Sequence, residues 1–158
     1  MPWRKLPLRA ADWLPPESNP LPYAGLISSL NQEFDYECRV EGELPPLSGT
    51  LYRVGPGLYE RGPDRKRMLL DGDGMVQALT FDGGRVRYRN RFVRTEKFVE
   101  EEAAGHFVFP TFSTHGSGSL FRNFGMTLPN QANTTVLEWG GRVLAFDESQ
   151  PPYELQKD

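Results

Sequence analysis

The clearest pattern in the chain is an alternation of apolar and polar residues that predicts two β-hairpins. Residues 85–93 alternate arginine or asparagine with an apolar partner, residues 75–81 alternate less regularly, and Asp82-Gly83-Gly84 joins the two runs. Period-two alternation places successive side chains on opposite faces of a strand, and glycine tolerates the positive φ of a tight turn. The same design recurs at residues 135–146 around Gly140-Gly141. A recurrence of hairpins on this scale favours an all-β fold and is typical of β-propeller blades.

Composition supports short strands rather than long helices. The chain has 158 residues, of which 16 are glycine and 14 are proline, and such a density of turn-forming residues suits many short strands. Six of the prolines fall within residues 1–22, where they remove backbone donors from helix and sheet. We therefore expect residues 1–22 to form an extended arm and residues 23–158 to form the folded domain.

Charge and cysteine content exclude several classes of function. The net charge is -3 and the acidic and basic residues are intermixed, which argues against a nucleic-acid partner. The single cysteine, Cys38, cannot form an internal disulfide and is compatible with a reducing compartment. The basic N-terminus lacks the apolar run of a signal peptide, and no stretch approaches the ~20 apolar residues that span a bilayer. We expect a cytoplasmic protein whose membrane contact, if it has any, is peripheral.

An aromatic region at residues 106–128 has two interpretations. Phenylalanines lie on both sides of a break rich in serine and glycine. In the first interpretation they form a buried strand and a short segment that packs on the sheet. In the second, residues 107–126 form an apolar lip that contacts a membrane or a hydrophobic ligand. The sequence leaves both open.

Few residues are arranged for unaided chemistry. Asp71-Gly72-Asp73-Gly74 begins like a calcium loop, but Met75 and Val76 stand where an oxygen donor and a glycine are required. We interpret the string as a tight turn in which the glycines take special backbone angles and the aspartates accept backbone N–H bonds. His106 and His115 are the only histidines and have no carboxylate or cysteine at ligand spacing, so we predict no metal site.

Two runs of charge, residues 61–67 and 96–102, are typical of solvated loops or strand ends. We assign neither run a function.

Several short strings resemble, in order along the chain, the N-terminal signature of the carotenoid cleavage oxygenases. The resemblance extends from about Val40 to Leu155 and is strongest at residues 41–46, 49–57, 70–76, 88–95, 133–134 and 141–146. Any one string is moderately specific, and all of them together, correctly spaced, are strongly so. The similarity is greatest to the bacterial branch that cleaves apocarotenoids, although the lignostilbene-cleaving branch shares much of the signature.

The resemblance implies the first blades of a seven-bladed β-propeller whose axis holds one Fe(II) on four histidines. These ligands would all come from strands after residue 158, so this chain alone is expected to bind no iron and to be inactive. The complete protein would be a non-haem dioxygenase that splits a carbon–carbon double bond of a carotenoid or apocarotenoid with O2 to give aldehydes. Two alternatives stay open, namely a stilbene-cleaving dioxygenase and a non-catalytic propeller fragment that binds a hydrophobic ligand.

The resemblance also assigns roles to four residues. Glu148 matches a carboxylate that hydrogen-bonds an iron-ligating histidine and so fixes the orientation of that ligand. Leu70, Phe112 and Asp147 match positions at or near the substrate tunnel, and relatives often carry aromatic residues at the positions of Leu70 and Asp147. An unpaired carboxylate beside an apolar polyene is costly, so Asp147 either faces away from the tunnel or marks a more polar end of the substrate.

Overall fold

The computed structural model describes residues 27–66, 68–112, 128–148 and 150–156, and these residues are mostly β-structure, as predicted. The predicted arm, residues 1–22, lies outside the described residues. In chain order the elements are β1 (Asp35–Glu37), β2 (Gly49–Leu58), β3 (Glu60–Arg61), β4 (Asp64–Arg65), a 3-10 turn (Leu69–Asp71), β5 (Asp73–Asp82), β6 (Arg85–Phe92), α1 (Glu96–Ala104), β7 (Thr135–Trp139), β8 (Arg142–Phe146) and β9 (Tyr153–Leu155).

Both predicted hairpins are confirmed. The first, β5–β6, turns at Gly83 and Gly84, and the second, β7–β8, turns at Gly140 and Gly141. All four glycines have positive φ angles between 54° and 84°, which is the backbone conformation that a two-residue hairpin turn requires. The first hairpin is the centre of an antiparallel sheet of order β1-β6-β5-β2, and the second belongs to a sheet of order β7-β8-β9.

Strand β5 is covered on both faces, because successive side chains point to opposite sides. On one side Val76 belongs to a buried cluster with Val93, Ala132 and Ala145, which joins the two sheets. On the other side the next residue, Met75, packs in a second cluster against helix α1, and its partners are Leu58, Phe92 and Phe98. The two clusters fix the second sheet and the helix on opposite faces of the first sheet.

Helix α1 was not predicted from the sequence. The hydroxyl of Thr95 accepts a hydrogen bond from the Phe98 N–H at 3.0 Å, which caps the first turn. Gly105 ends the helix with φ 72° and donates its N–H to the Glu101 carbonyl. Threonine before the run and glycine after it are recognisable helix boundaries, but the run of glutamates between them was interpreted only as surface charge.

The interpretation of the two charge runs as solvated is wrong for Lys66 and Glu101, which are fully buried. Together with Arg61, Asp73 and Lys97 they form what we call the buried charge cluster. Lys97 Nζ lies 2.5 Å from Asp73 Oδ1 and 2.7 Å from Glu101 Oε2. Arg61 Nη2 lies 3.6 Å from Asp73 Oδ2. Asp73, which lies in neither run, therefore links Arg61 of the first run to Lys97 of the second run in the interior.

The two buried lysines differ in electrostatic environment. Burial alone would lower the pKa of Lys97, but the carboxylates of Asp73 and Glu101 outweigh it and the pKa is raised. Lys66 Nζ instead lies 4.4 Å from the centroid of the Phe107 ring and has no hydrogen-bond acceptor among the described residues. Burial and the nearby Lys97 charge lower the pKa of Lys66 from 10.5 to about 7.

Candidate functional site

Leu70, Phe112, Asp147 and Glu148, the four residues given roles by the resemblance, line one small cavity. They come from three separate parts of the chain. The other lining residues are Leu128, Pro129, Gln131, Asn133 and Thr134. The cavity volume is about 20 Å³, which holds one water molecule and is far below the roughly 300–1,000 Å³ of a ligand pocket. The described residues therefore form part of a wall, and the functional roles of the four residues stay predictions.

Asp147 lines the cavity, but both of its carboxylate oxygens accept backbone hydrogen bonds. Oδ2 accepts from the Gln131 N–H at 3.3 Å and Oδ1 accepts from the Gln150 N–H at 2.9 Å. These bonds compensate the cost of placing a carboxylate beside apolar groups. Asp147 thus ties the segment before β7 to the segment after β8, in addition to facing the cavity.

Glu148 follows directly and its side chain is exposed. Strand β8 ends at Phe146, so the rule that neighbouring side chains of a strand point to opposite faces does not apply to Asp147 and Glu148. Both residues line the same cavity. Within the described part of the chain, no hydrogen-bond or ion-pair partner is seen for the Glu148 carboxylate. Its two oxygens are accordingly available to accept a bond from a donor that enters the cavity.

The backbone at Leu70 is shaped by the string Asp71-Gly72-Asp73-Gly74, and the interpretation of this string as a turn with special angles is wrong. Gly72 has φ -72° and Gly74 lies within strand β5. The glycines are needed for space instead: a Cβ on Gly74 would stand 2.1 Å from the Ala132 carbonyl oxygen, and one on Gly72 would stand 2.8 Å from the Cβ of Pro56. The string is a site of close chain packing.

Asp73 of this string also differs from expectation, since it binds Lys97 rather than a backbone N–H. The neighbouring Tyr59 hydroxyl donates to the Leu69 carbonyl at 2.9 Å. Burial, followed by the nearby Asp71 charge, raises the pKa of Tyr59 to about 12. The phenol therefore stays protonated and holds the start of the 3-10 turn.

Two amide side chains that the sequence analysis did not single out contact the same loop. Asn133 Nδ2 donates to the Leu70 carbonyl at 2.9 Å and to the Gly72 carbonyl at 2.7 Å. With its nitrogen turned toward the loop, Gln131 donates to the Asp71 carbonyl at 2.9 Å and the Leu70 carbonyl at 3.0 Å. The only sequence signal was the string Asn133-Thr134, which entered as part of the resemblance.

In the described part of the aromatic region, residues 106–112, the phenylalanines Phe107 and Phe112 differ in exposure. Phe107 is 1% exposed and packs in the interior, whereas Phe112 is 60% exposed at the cavity. Glu101 Oε1 fixes the intervening chain by accepting from the N–H groups of Val108 and Phe109 at 3.1 and 3.0 Å. Residues 113–127 lie outside the described part of the chain, so the apolar lip at 107–126 stays a prediction, as does the cytoplasmic location.

The described residues do not fit a set of iron ligands. His106 Nδ1 lies 2.9 Å from the Ala104 carbonyl oxygen, and His115 lies outside the described residues. Across residues 27–66, 68–112, 128–148 and 150–156 there is no group of three or more histidine, cysteine or acidic side chains placed to hold a metal. The same residues contain no helix that is both long and apolar enough to cross a membrane.

A larger groove of about 590 Å³ lies elsewhere, between the two sheets. Apolar side chains such as Val76 and Leu155 share its walls with Arg89, Arg91 and Arg94. None of the four predicted site residues lines it, and a wall of three guanidinium groups is a poor match for an apolar polyene. Size alone therefore does not make it the substrate site.

Comparison with known proteins places the chain in a family. A model of the family described as "Retinal pigment epithelial membrane protein" matches residues 27–158. The apocarotenoid-15,15'-oxygenase of Synechocystis is 45% identical over 130 residues, which are 79% of this chain and 26% of that protein. The isoeugenol monooxygenase of Pseudomonas nitroreducens is 32% identical over 122 residues, which are 76% of this chain and 25% of that protein.

Solved structures agree. Cobalt-substituted Synechocystis ACO, the apocarotenoid oxygenase, matches 83% of this chain and 28% of its own, with a TM-score of 0.76 and 42% identity. The chain thus spans about a quarter of the length of the relatives it matches. The resemblance found in the sequence is confirmed, and the protein is a partial chain that belongs to the retinal pigment epithelial membrane protein family, the family of the carotenoid cleavage oxygenases.

Proposed function

We propose that the complete protein is an apocarotenoid-cleaving dioxygenase and that this chain supplies the first blades of its propeller. The observation that carries the proposal is the 45% identity to an apocarotenoid oxygenase. A resveratrol cleavage oxygenase of Aspergillus fumigatus is 32% identical over 141 residues, so a stilbene is the weaker candidate substrate. In the reaction one carbon–carbon double bond is broken and each carbon gains one oxygen atom of O2, which yields two carbonyl products.

The first and second sheets would be consecutive blades in this proposal. Each is an antiparallel sheet built around one hairpin, and they pack face to face through the cluster that contains Val76 and Ala145, as neighbouring propeller blades do. The cavity at Leu70, Phe112, Asp147 and Glu148 would be the part of the tunnel wall that this chain contributes. The iron, when bound, supplies the activation of O2 and would be held by histidines from the rest of the protein.

Glu148 would act in this site by accepting the spare ring N–H of one of those histidines. The carboxylate is exposed in the cavity, and such a bond fixes the tautomer and the orientation of a ligand ring. We expect Glu148→Gln in the complete protein to lower iron affinity or turnover about 10- to 100-fold without unfolding the protein. Full iron content together with undiminished turnover would remove the support for this role.

The test of the function is direct. The complete protein, loaded with Fe(II) without oxygen and then exposed to air, is incubated with an apocarotenoid and, in parallel, with resveratrol. Chromatography with mass detection should show two carbonyl products from the apocarotenoid, and the 158-residue chain should show none. Cleavage of resveratrol alone would select the stilbene alternative. Binding without cleavage of either compound would favour a non-catalytic protein that holds a hydrophobic ligand.

A further inference from the structure

Asn133 has a buried side chain whose NH2 group holds the loop at Leu70. The side chain is 5% exposed, and its NH2 group donates to the carbonyls of Leu70 and Gly72. An amide nitrogen has two hydrogens, so both donors are spent on this loop. With its amide nitrogen turned toward the loop, Gln131 donates to the Asp71 and Leu70 carbonyls from the same side. Three consecutive carbonyls, 70 to 72, therefore depend on two side chains of one distant segment.

That segment is itself fixed to the end of strand β8. The N–H and the hydroxyl of Thr134 both donate to the Phe146 carbonyl, at 3.1 and 3.0 Å. The Gly74 N–H donates to the Gln131 carbonyl at 2.9 Å, and the bare Cα of Gly74 lets the two chains approach. Residues 131–134 thus link two segments, the end of strand β8 just before Asp147 and the loop that contains Leu70.

The Leu70 side chain has little packing of its own to hold it. It is 43% exposed, and the short 3-10 turn that contains it has no side-chain cap at Met68. Its position is consequently determined by its backbone, which Tyr59 holds at the Leu69 carbonyl and which Asn133 and Gln131 hold at the carbonyls of residues 70 to 72.

We propose that Asn133 is a positioning residue that sets the place of Leu70 in the cavity wall and thereby the affinity for the polyene substrate. The proposal rests on the proposed function, since it concerns the wall of the same cavity. Asn133 acts through Leu70 and has no part in the bond-breaking step.

The experiment measures KM and kcat for an apocarotenoid with the complete, iron-loaded protein. Asn133→Ala removes the donor to the Gly72 carbonyl and one of the two donors to the Leu70 carbonyl, and loss of such buried bonds predicts a rise in KM of about tenfold. We expect kcat to stay within about twofold and iron content to be unchanged. Gln131→Leu, which removes the other pair of donors at similar volume, is a second variant in case Asn133→Ala does not fold. Asn90→Ala is the matched control, because Asn90 is also a buried amide bonded to backbone groups, but its backbone partners are Gln32 and Phe34 and not the loop at 70–72.

A double-mutant cycle with Leu70→Ala separates positioning from general stability. If Asn133 acts through Leu70, Asn133→Ala raises KM about tenfold in the normal background and less than about twofold in the Leu70→Ala background. An equal rise in KM in both backgrounds, or a loss of kcat with KM unchanged, would overturn the proposal for Asn133. The proposed function would still stand in that case, because it is tested by the activity of the wild type.

If the wild type does not cleave, the proposed function fails, and the same cycle is run on the dissociation constant, measured by quenching of tryptophan fluorescence by the apocarotenoid. If Asn133→Ala weakens binding of the apocarotenoid less in the Leu70→Ala background than in the normal one, the positioning role is supported even without cleavage activity. Additive effects, or no binding at all, would overturn it.

Discussion

Replacing Lys66 by methionine is expected to stabilise the protein, most strongly at acidic pH. Lys66 is fully buried, its ammonium group lies 4.4 Å from the centre of the Phe107 ring, and Nζ has no acceptor among the described residues. The groups around it are Lys97 and Glu101 from α1, Asp73 from β5 and Arg61 from β3. These five side chains carry three positive and two negative charges when all are ionised, so protonated Lys66 is the excess charge of the cluster.

The sign of the pH dependence follows from the lowered pKa. Between about 7 and 10.5, the unfolded chain keeps a proton on Lys66 that the folded protein has lost, so the free energy of unfolding rises with pH across this window. Below about pH 7 the cost of the buried charge is fully present. At about 1.36 kcal/mol per pH unit, the wild type should gain roughly 2–3 kcal/mol between pH 6 and pH 9 from this group. Lys66→Met has no such slope, and its methionine keeps the apolar stem beside Phe107.

Urea unfolding of the complete protein at pH 6, 7.5 and 9 measures the effect. The stability difference between Lys66→Met and the wild type should shrink by roughly 2–3 kcal/mol from pH 6 to pH 9. Arg85→Met is the matched control, because Arg85 is exposed at a hairpin turn and its loss should change stability by less than about 0.5 kcal/mol at every pH. Parallel pH profiles for wild type and Lys66→Met would refute the reasoning.

Two further predictions concern packing. Gly74→Ala would bring a Cβ to 2.1 Å from the Ala132 carbonyl oxygen and should destabilise the complete protein by more than about 3 kcal/mol, whereas Gly55→Ala, with open space around it, should cost under about 1 kcal/mol in the same urea assay. The isolated 158-residue chain should self-associate, because the row Tyr36, Tyr88, Leu79 and Leu51 crosses one face of the first sheet with Tyr36 and Leu51 exposed. Size-exclusion chromatography checks this, and a sharp monomer peak with a cooperative melt would contradict it.

The hairpins were predictable because the sequence signals that specify them lie close together along the chain. Alternation and paired glycines fix β5–β6 and β7–β8 within short stretches of sequence, and the structure has the turns at the predicted glycines. The buried charge cluster was not predictable in this way. Lys66 and Glu101 are surface residues by type, and they become buried only because β5, α1 and the strands β3 and β4 meet in three dimensions.

The candidate site shows the same division. The resemblance named Leu70, Phe112, Asp147 and Glu148, and the fold brings them to one cavity. The residues that hold this arrangement, Gln131 and Asn133, were missed because an amide that binds backbone carbonyls leaves no periodic pattern. Gly74 was noticed for the wrong reason, since its need for space depends on Ala132, a residue far away in sequence.

The loop between Leu70 and Gly74 touches both the cavity and the buried charge cluster, and the two contacts are separable. Asp73 is held by Lys97 at 2.5 Å, whereas the carbonyls of residues 70 to 72 are held by the amides of Gln131 and Asn133. Lys66 does not bond this loop in the described structure. We therefore expect Lys66→Met to change stability while leaving KM and kcat for an apocarotenoid within about twofold of the wild type at pH 7.5. Because Asn133→Ala is expected to raise KM about tenfold, the two variants measured side by side test whether the amides isolate the cavity wall from the charge cluster. A change in KM above about fivefold in Lys66→Met would show that the loop transmits the state of the cluster to the site.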